Sequence, residues 1–146
     1  MNQACLSKKI YISGALTGIK ESEKIKDFYE SIGLLCDQLA FQTHIPHLYT
    51  DPLKNPEISP RQVFEMDKRQ VNAADLVIAY LGCPSFGVGM ELAYADTNNI
   101  PIILLYERER IISRFPRGIP SIVAEIQFTS YEDALEQLRN ILINWI

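Results

Sequence analysis

Asp67 and Glu91 are carboxylates placed on the mainly apolar faces of two helical patterns. Asp67 lies in Ser59-Pro-Arg-Gln-Val-Phe-Glu-Met-Asp-Lys-Arg-Gln-Val-Asn-Ala-Ala74. The spacing there predicts a helix with Val63, Asp67, Gln70, Val71 and Ala74 on one side. Glu91 follows Pro84-Ser-Phe-Gly-Val-Gly89 and shares a face with Val88, Leu92 and Ala95. A buried carboxylate without a partner is costly, so each acid needs a counter-group or a task. Either one alone reads most simply as satisfied by backbone amides or by one of the 14 Lys and Arg. Two of them, one beside a Gly-rich turn, point to a paired-carboxylate active site. An oriented, ionised carboxylate can attack a sugar anomeric carbon. A second acid, roughly 5 Å away in retaining glycoside cleavage, manages the proton and the leaving group. An N-linked base leaves poorly until it is protonated or hydrogen-bonded. Glu91 is the expected nucleophile, its ionised form favoured by the positive end of the helix dipole, and Asp67 is the expected second acid.

Other residues cluster with these two. Gly14, Gly18, Gly87 and Gly89 allow a ligand to approach backbone closely. Ser85 and the amides at the same helix start can hold an anion such as a phosphate. Tyr11 ends the first strand and either aims its hydroxyl into the site or packs as a core aromatic. Cys83 lies in the same loop as Ser85, but no His stands near it in sequence. His44 and His47 flank Ile45-Pro46 and read as loop or strand-end residues rather than ligands. The Gly spacing is not G-x-G-x-x-G, and no G-x-x-x-x-G-K-[ST] is present, which excludes Rossmann-dinucleotide and P-loop readings.

The elements that must position these residues follow from periodicity. Lys8 to Ser13 predicts a strand. Glu21 to Phe41 predicts a helix with Ile25, Phe28, Tyr29, Ile32, Leu35, Cys36, Leu39 and Ala40 in one stripe. Gln42 to Ile45 predicts a short strand, followed by a loop with Pro46, Pro52 and Pro56. Ser59-Pro60-Arg61-Gln62 is a helix start: Ser as cap, Pro in first position, Gln closing a capping box. Asp75 to Tyr80 and Pro101 to Tyr106 read as buried strands, with a helix from Val88 to Asn98 between them. Ser121 to Phe128 reads as an edge strand. Ser130 to Asp133 is a capping box opening a last helix that turns Leu135, Leu138, Ile141, Leu142 and Trp145 inward. Strands alternating with helices imply right-handed βαβ units. The expected fold is α/β and flavodoxin-like (Rossmann-like): three layers around a five-stranded parallel sheet, order 2-1-3-4-5, as one domain over residues 1–146. In that order the switch point lies between strands one and three. The loops 14–18 and 82–89 meet there, and the second leads into Glu91.

Composition excludes several classes. With 47% hydrophobic and 22% charged residues this is an ordinary globular chain. A net charge of −4 gives no basic field for nucleic acid. No apolar run is long enough to span a bilayer, and Met1-Asn-Gln-Ala-Cys5 lacks a signal-peptide layout. Cys5, Cys36 and Cys83 form no pair pattern and read as free thiols, so the expected compartment is the cytoplasm. No metal-ligand spacing occurs, and neither a metal nor an organic cofactor is expected. Arg108, Arg110, Arg114 and Arg117 surround Ile111, Ile112 and Phe115, a mixture typical of interfaces, so a homodimer or higher homo-oligomer is expected.

Taken together, these residues resemble the nucleoside 2-deoxyribosyltransferase superfamily, especially its branch of 2'-deoxynucleoside 5'-phosphate N-hydrolases. The resemblance runs from Tyr11 to about Gly118. It is strongest in Met66-Asp67, in Asp75-Leu-Val-Ile-Ala79 and in Pro84-Ser-Phe-Gly-Val-Gly-Met-Glu91-Leu92. It implies that Glu91 is the nucleophile that takes the sugar, that Asp67 is the second acid, and that Tyr11 assists. It also implies that Ser85 binds phosphate and that Ser113 is donated across a dimer interface. The N-hydrolase branch has Ser and Arg in the first Gly-rich loop, where this chain has Ala15 and Thr17. Losing that Arg removes a bidentate phosphate clamp, which Lys20 or Lys24 would have to replace. Three functions follow as alternatives: hydrolysis of a (deoxy)nucleoside 5'-monophosphate or nucleoside, transfer of deoxyribose between bases, and nucleotide binding without turnover.

Overall fold

A computed structural model of the chain describes residues 6–145. Cys5 lies outside them. The first strand, β1 (Lys9–Ser13), alternates its side chains as a pleated strand must. Ile10 and Ile12 enter one apolar layer, while Tyr11 and Ser13 point to the opposite face. Helix α1 (Ser22–Gln38) follows, then β2 (Gln42–His44), α2 (His47–Thr50), α3 (Pro60–Asn72) and β3 (Leu76–Tyr80). The chain continues through α4 (Phe86–Thr97), β4 (Ile102–Glu107), α5 (Arg114–Arg117), β5 (Ile122–Phe128) and α6 (Tyr131–Trp145). All pairings are parallel, in the order β2-β1-β3-β4-β5, so the expected topology holds.

The sheet separates two apolar layers. One joins β1, β3 and β4 to the stripe of α1 and to Ala134, Leu138 and Leu142 of α6. The other packs Tyr11, Val77, Ala79, Leu104 and Tyr106 against Val71 of α3 and Val88, Leu92 and Ala95 of α4. β3 is buried at every position, as a central parallel strand covered on both faces must be.

Local signals explain most boundaries. Ser59 and Gln62 form the expected capping box, with Ser59 Oγ accepting from the Gln62 N–H at 3.2 Å and Gln62 Oε1 accepting from the Ser59 N–H at 2.8 Å. At α6, Ser130 Oγ accepts from the Asp133 N–H at 3.1 Å. Asp133 does not close the box on Ser130; its carboxylate takes the Thr129 N–H at 2.9 Å, one residue earlier. The stripe of α1 stops short of the expected end: Ala40 is left-handed, with φ 64°, and exposed, so the helix has already closed at Gln38. The short helices α2 and α5 have no counterpart in the sequence reading, because four residues are too few to display a helical period.

Candidate functional site

β1 ends at Ser13 beside β3, with Ser13 in register with Ala79. The chain turns away through Gly14, where a Cβ would collide with the Tyr29 ring at 2.2 Å. Gly18 supplies the positive φ (67°) that completes this loop before α1. From the other strand, the chain leaves β3 through Gly82 to Ser85. Ser85 caps α4, its hydroxyl accepting the Val88 N–H at 3.3 Å. Glu91 is the sixth residue of α4, on the same side as the buried Val88, Leu92 and Ala95, and faces β1.

Two hydroxyls from β1 hold that carboxylate. Tyr11 donates to Glu91 Oε1 at 2.8 Å, and Ser13 donates to Oε2. Tyr11 combines the two arrangements the sequence allowed: its ring is fully buried, and its hydroxyl reaches Glu91. Asp67, on α3, completes the group. It lies close enough for its charge to push up the pKa of both Glu91 and Tyr11. Its Oδ1 is shielded from solvent and has no hydrogen-bond partner among the described residues. A carboxylate oxygen in that state is normally completed by something outside the chain.

The electrostatics differ from the sequence expectation. Burial raises the Glu91 carboxyl to about 7, outweighing the hydroxyls of Ser13 and Tyr11, with Asp67 adding to the rise. The helix dipole does not prevail because it acts within the first turn, and Glu91 stands beyond it. Burial alone raises Asp67 to about 6. Burial also raises the Cys83 thiol, so no thiolate is favoured there.

The remaining expected residues are less tightly drawn together. Gly14, Ala15, Thr17 and Gly18 form the loop after β1; Ala15 is buried and its carbonyl accepts from the Tyr29 hydroxyl at 3.1 Å, whereas Thr17 and Gly18 are exposed. Lys20 and Lys24 are exposed as well. Gly87 and Gly89 lie in the first turn of α4, exposed, with nothing near a Cβ at Gly89 and only Ser85 Oγ, at 3.7 Å, near one at Gly87. Ser113 precedes α5 on an exposed segment and makes no hydrogen bond to Tyr11, Asp67 or Glu91.

Two site residues escaped the sequence reading. Ser13 shares the face of Tyr11 by strand alternation, a signal that was present. His44 pairs in register with Tyr11 across β1 and β2, which no single strand reveals. Its ring stacks on Tyr11 (centroids 5.5 Å apart, 18° between planes) and on Tyr49 (4.7 Å, 9°). His44 Nε2 is buried without a partner among the described residues, and burial lowers its pKa.

No family model matches the chain. It is 28% identical over 139 residues to "Putative 2'-deoxynucleoside 5'-phosphate N-hydrolase 1" of Thermofilum pendens, covering 92% of this chain and 94% of that protein. A protein of the same name from Syntrophotalea carbinolica is 28% identical over 140 residues, with coverage of 92% and 94%. Among solved structures, the Clostridium botulinum CMP N-glycosidase superposes with a TM-score of 0.71 at 20% identity, over 92% of this chain and 99% of that one. A 2-deoxyribosyltransferase of Bacillus psychrosaccharolyticus superposes with a TM-score of 0.62 at 19% identity, over 87% and 90%. In sequence the chain is similar to proteins named as 2'-deoxynucleoside 5'-phosphate N-hydrolases, and it shares its fold with a CMP N-glycosidase and a 2-deoxyribosyltransferase.

Proposed function

We propose that this protein cleaves the N-glycosidic bond of a nucleoside 5'-monophosphate or nucleoside through a glycosyl-enzyme on Glu91. The observation that carries this reading is the arrangement of one carboxylate held on both oxygens by Tyr11 and Ser13, beside a second whose Oδ1 is buried and unpartnered. Two hydroxyl donors fix the Glu91 oxygens and leave their remaining lone pairs for a carbon electrophile. The Glu91 oxygen bonds to C1' as the C1'–N bond breaks, and the electron pair stays with the base. Asp67 delivers a proton to the base, directly or through one water. Water then attacks C1', giving its proton to Asp67 and releasing Glu91 and the free sugar. In the transferase alternative, a second base takes the place of water.

The raised pKa values suit this sequence. Burial raises both carboxyls, Glu91 to about 7 and Asp67 to about 6, so both titrate near neutrality and the pair shares its protons there. Catalysis needs a proton on Asp67 and the charge on Glu91, and two acids that titrate in the same range can exchange that proton as the step requires.

Glu91→Gln should leave the fold intact and release no detectable base from any member of a panel of nucleosides and 5'-monophosphates that wild type cleaves. An amide cannot take the sugar. Most of the activity surviving in this variant would exclude the covalent route. A nucleotide-binding module without turnover would show no base release even in wild type.

A further inference from the structure

Two acid–base pairs tie α1 to α2 at the rim of the site. Lys26 and Glu30 stand one turn apart on α1, and His47 and Asp51 stand one turn apart across α2 and its cap. Lys26 Nζ lies 2.6 Å from Asp51 Oδ2, with Lys26 4% exposed and Asp51 fully buried. His47 Nε2 lies 2.8 Å from Glu30 Oε1. Asp51 also accepts the Leu53 N–H at 2.9 Å. Burial alone would push the Asp51 carboxyl up, but the Lys26 ammonium and the Leu53 amide hold it below the usual range.

This inward face is unusual. Apolar contact anchors only the start of α2, where Ile45 and the N-cap Pro46 are buried and Ile45 packs on Gly33 of α1. Beyond them the buried residues of α2 and its C-cap are His47, Thr50 and Asp51, all polar, whereas Leu48 and Tyr49 are more than half exposed. Lysine is almost never buried without a reason, and an ion pair this deep adds little stability over an apolar pair of similar size. In helical assemblies a buried polar group can fix a single register. The segment it fixes carries Tyr49, whose ring stacks on His44, which stacks on Tyr11, whose hydroxyl holds Glu91.

We propose that Lys26 is a positioning residue: paired with Asp51, it holds α2 so that the Tyr49–His44–Tyr11 stack keeps the Tyr11 hydroxyl on Glu91. The activity consequence rests on the N-glycosidase reading; the structural one does not. Misplacement of a catalytic group by a fraction of an ångström to 1 Å is enough to lower turnover by roughly ten- to a hundred-fold.

The test replaces the ion pair by an apolar pair, Lys26→Met with Asp51→Leu, in the full chain. The chain has only two histidines, so its imidazole proton spectrum is simple, and His44→Ala assigns it. In wild type the His44 ring protons should be shifted upfield by the two tyrosine rings. In the double variant they should move toward the position of a free imidazole. Its Tm should be unchanged or higher, while kcat falls roughly ten- to a hundred-fold and KM changes much less. If that variant does not fold, Lys26→Gln with Asp51→Asn keeps the shape without the charges and is read in the same way. Unchanged His44 resonances in the folded variant would overturn the proposal, as would an unchanged kcat. A wild type without turnover on any nucleoside or nucleotide would refute the N-glycosidase reading instead, and the imidazole spectrum would still decide the role of Lys26.

Discussion

At the scale of single residues, Asp67 is where cost and use meet. Its raised pKa, about 6 against an ordinary 3.8, means that the folded state binds a proton which the unfolded chain releases. Stability is therefore lost as pH rises from about 4 to about 6, and the deficit is complete above that window. Because the side chain is only partly buried, solvent screening reduces the penalty to about 1 kcal/mol. Asp67→Asn removes it, so Tm should rise by roughly 2–4 °C at pH 8 and hardly at all at pH 4. Turnover should fall by roughly 10²–10⁴-fold, the usual contribution of a placed acid. Melting curves at the two pH values, with base-release rates on the same samples, separate the outcomes. A large loss of Tm with normal turnover would make Asp67 a structural residue only. Asp67 and Glu91 stand out in the sequence because a carboxylate on an apolar stripe differs from its neighbours, whereas Tyr11 is read only from its place at the end of a strand, with the core-aromatic reading left open, and from the resemblance. Lys26 and Asp51 do not stand out. Lys26 sits beside Ile25 at the margin of the α1 stripe, where lysines usually reach solvent, and its partner comes from a loop 25 residues away.

At the scale of elements, the proposed function gives the loops at the carboxyl ends of β1 and β3 the task of selecting the substrate. The sheet order and the strand cores were legible because each strand is a short apolar run bounded by turn residues. The pairing of β2 with β1 in register was not, and it is this pairing that brings His44 onto Tyr11. Nor could the sequence weigh burial of Glu91 against the α4 dipole, since burial depends on β1 lying across it. The amino end of α4, with Ser85 as its cap, is the element best suited to a 5'-phosphate. Each charge-assisted hydrogen bond to phosphate is worth roughly 1.5–3 kcal/mol, and about 1.4 kcal/mol is tenfold in rate or affinity. A 5'-monophosphate should therefore be cleaved with kcat/KM tenfold or more above its nucleoside. Ala15 is turned into the core and Thr17 is a short exposed side chain, so the loop after β1 offers no guanidinium to add to this. Ser85→Ala should shrink the preference, though it also removes the cap on Val88. Kinetics on one matched pair decides the matter. Equal or better use of the bare nucleoside would favour the transferase, and an added acceptor base should then yield a new nucleoside.

At the scale of the whole molecule, several large apolar side chains on α3, α4 and the segment around α5 are open to solvent. Ile111 and Phe115 are 98% and 92% exposed on either side of Ser113, and Phe86 at the start of α4 is 96% exposed. Met90, one turn along α4, and Phe64 on α3 are also open to solvent. Soluble monomers seldom leave so many large apolar side chains on neighbouring elements uncovered. Gly87 and Gly89 on the outer side of α4 leave room for another surface to approach closely. We propose that a homodimer covers this surface, and the resemblance implies that it donates Ser113 of one protomer to the phosphate side of its partner's site. Ile111→Asp with Phe115→Asp places two like charges where that interface should form. The variant should sediment as a monomer at concentrations where wild type is a dimer, with the α/β circular dichroism unchanged. If the partner supplies part of the site, kcat/KM for the 5'-monophosphate should fall tenfold or more, and activity on the bare nucleoside should fall less, since Ser113 is assigned to the phosphate. A wild type that sediments as a monomer with full activity would remove both the dimer and the role of Ser113. A dimer that the two charges leave intact would place the interface on another face of the fold.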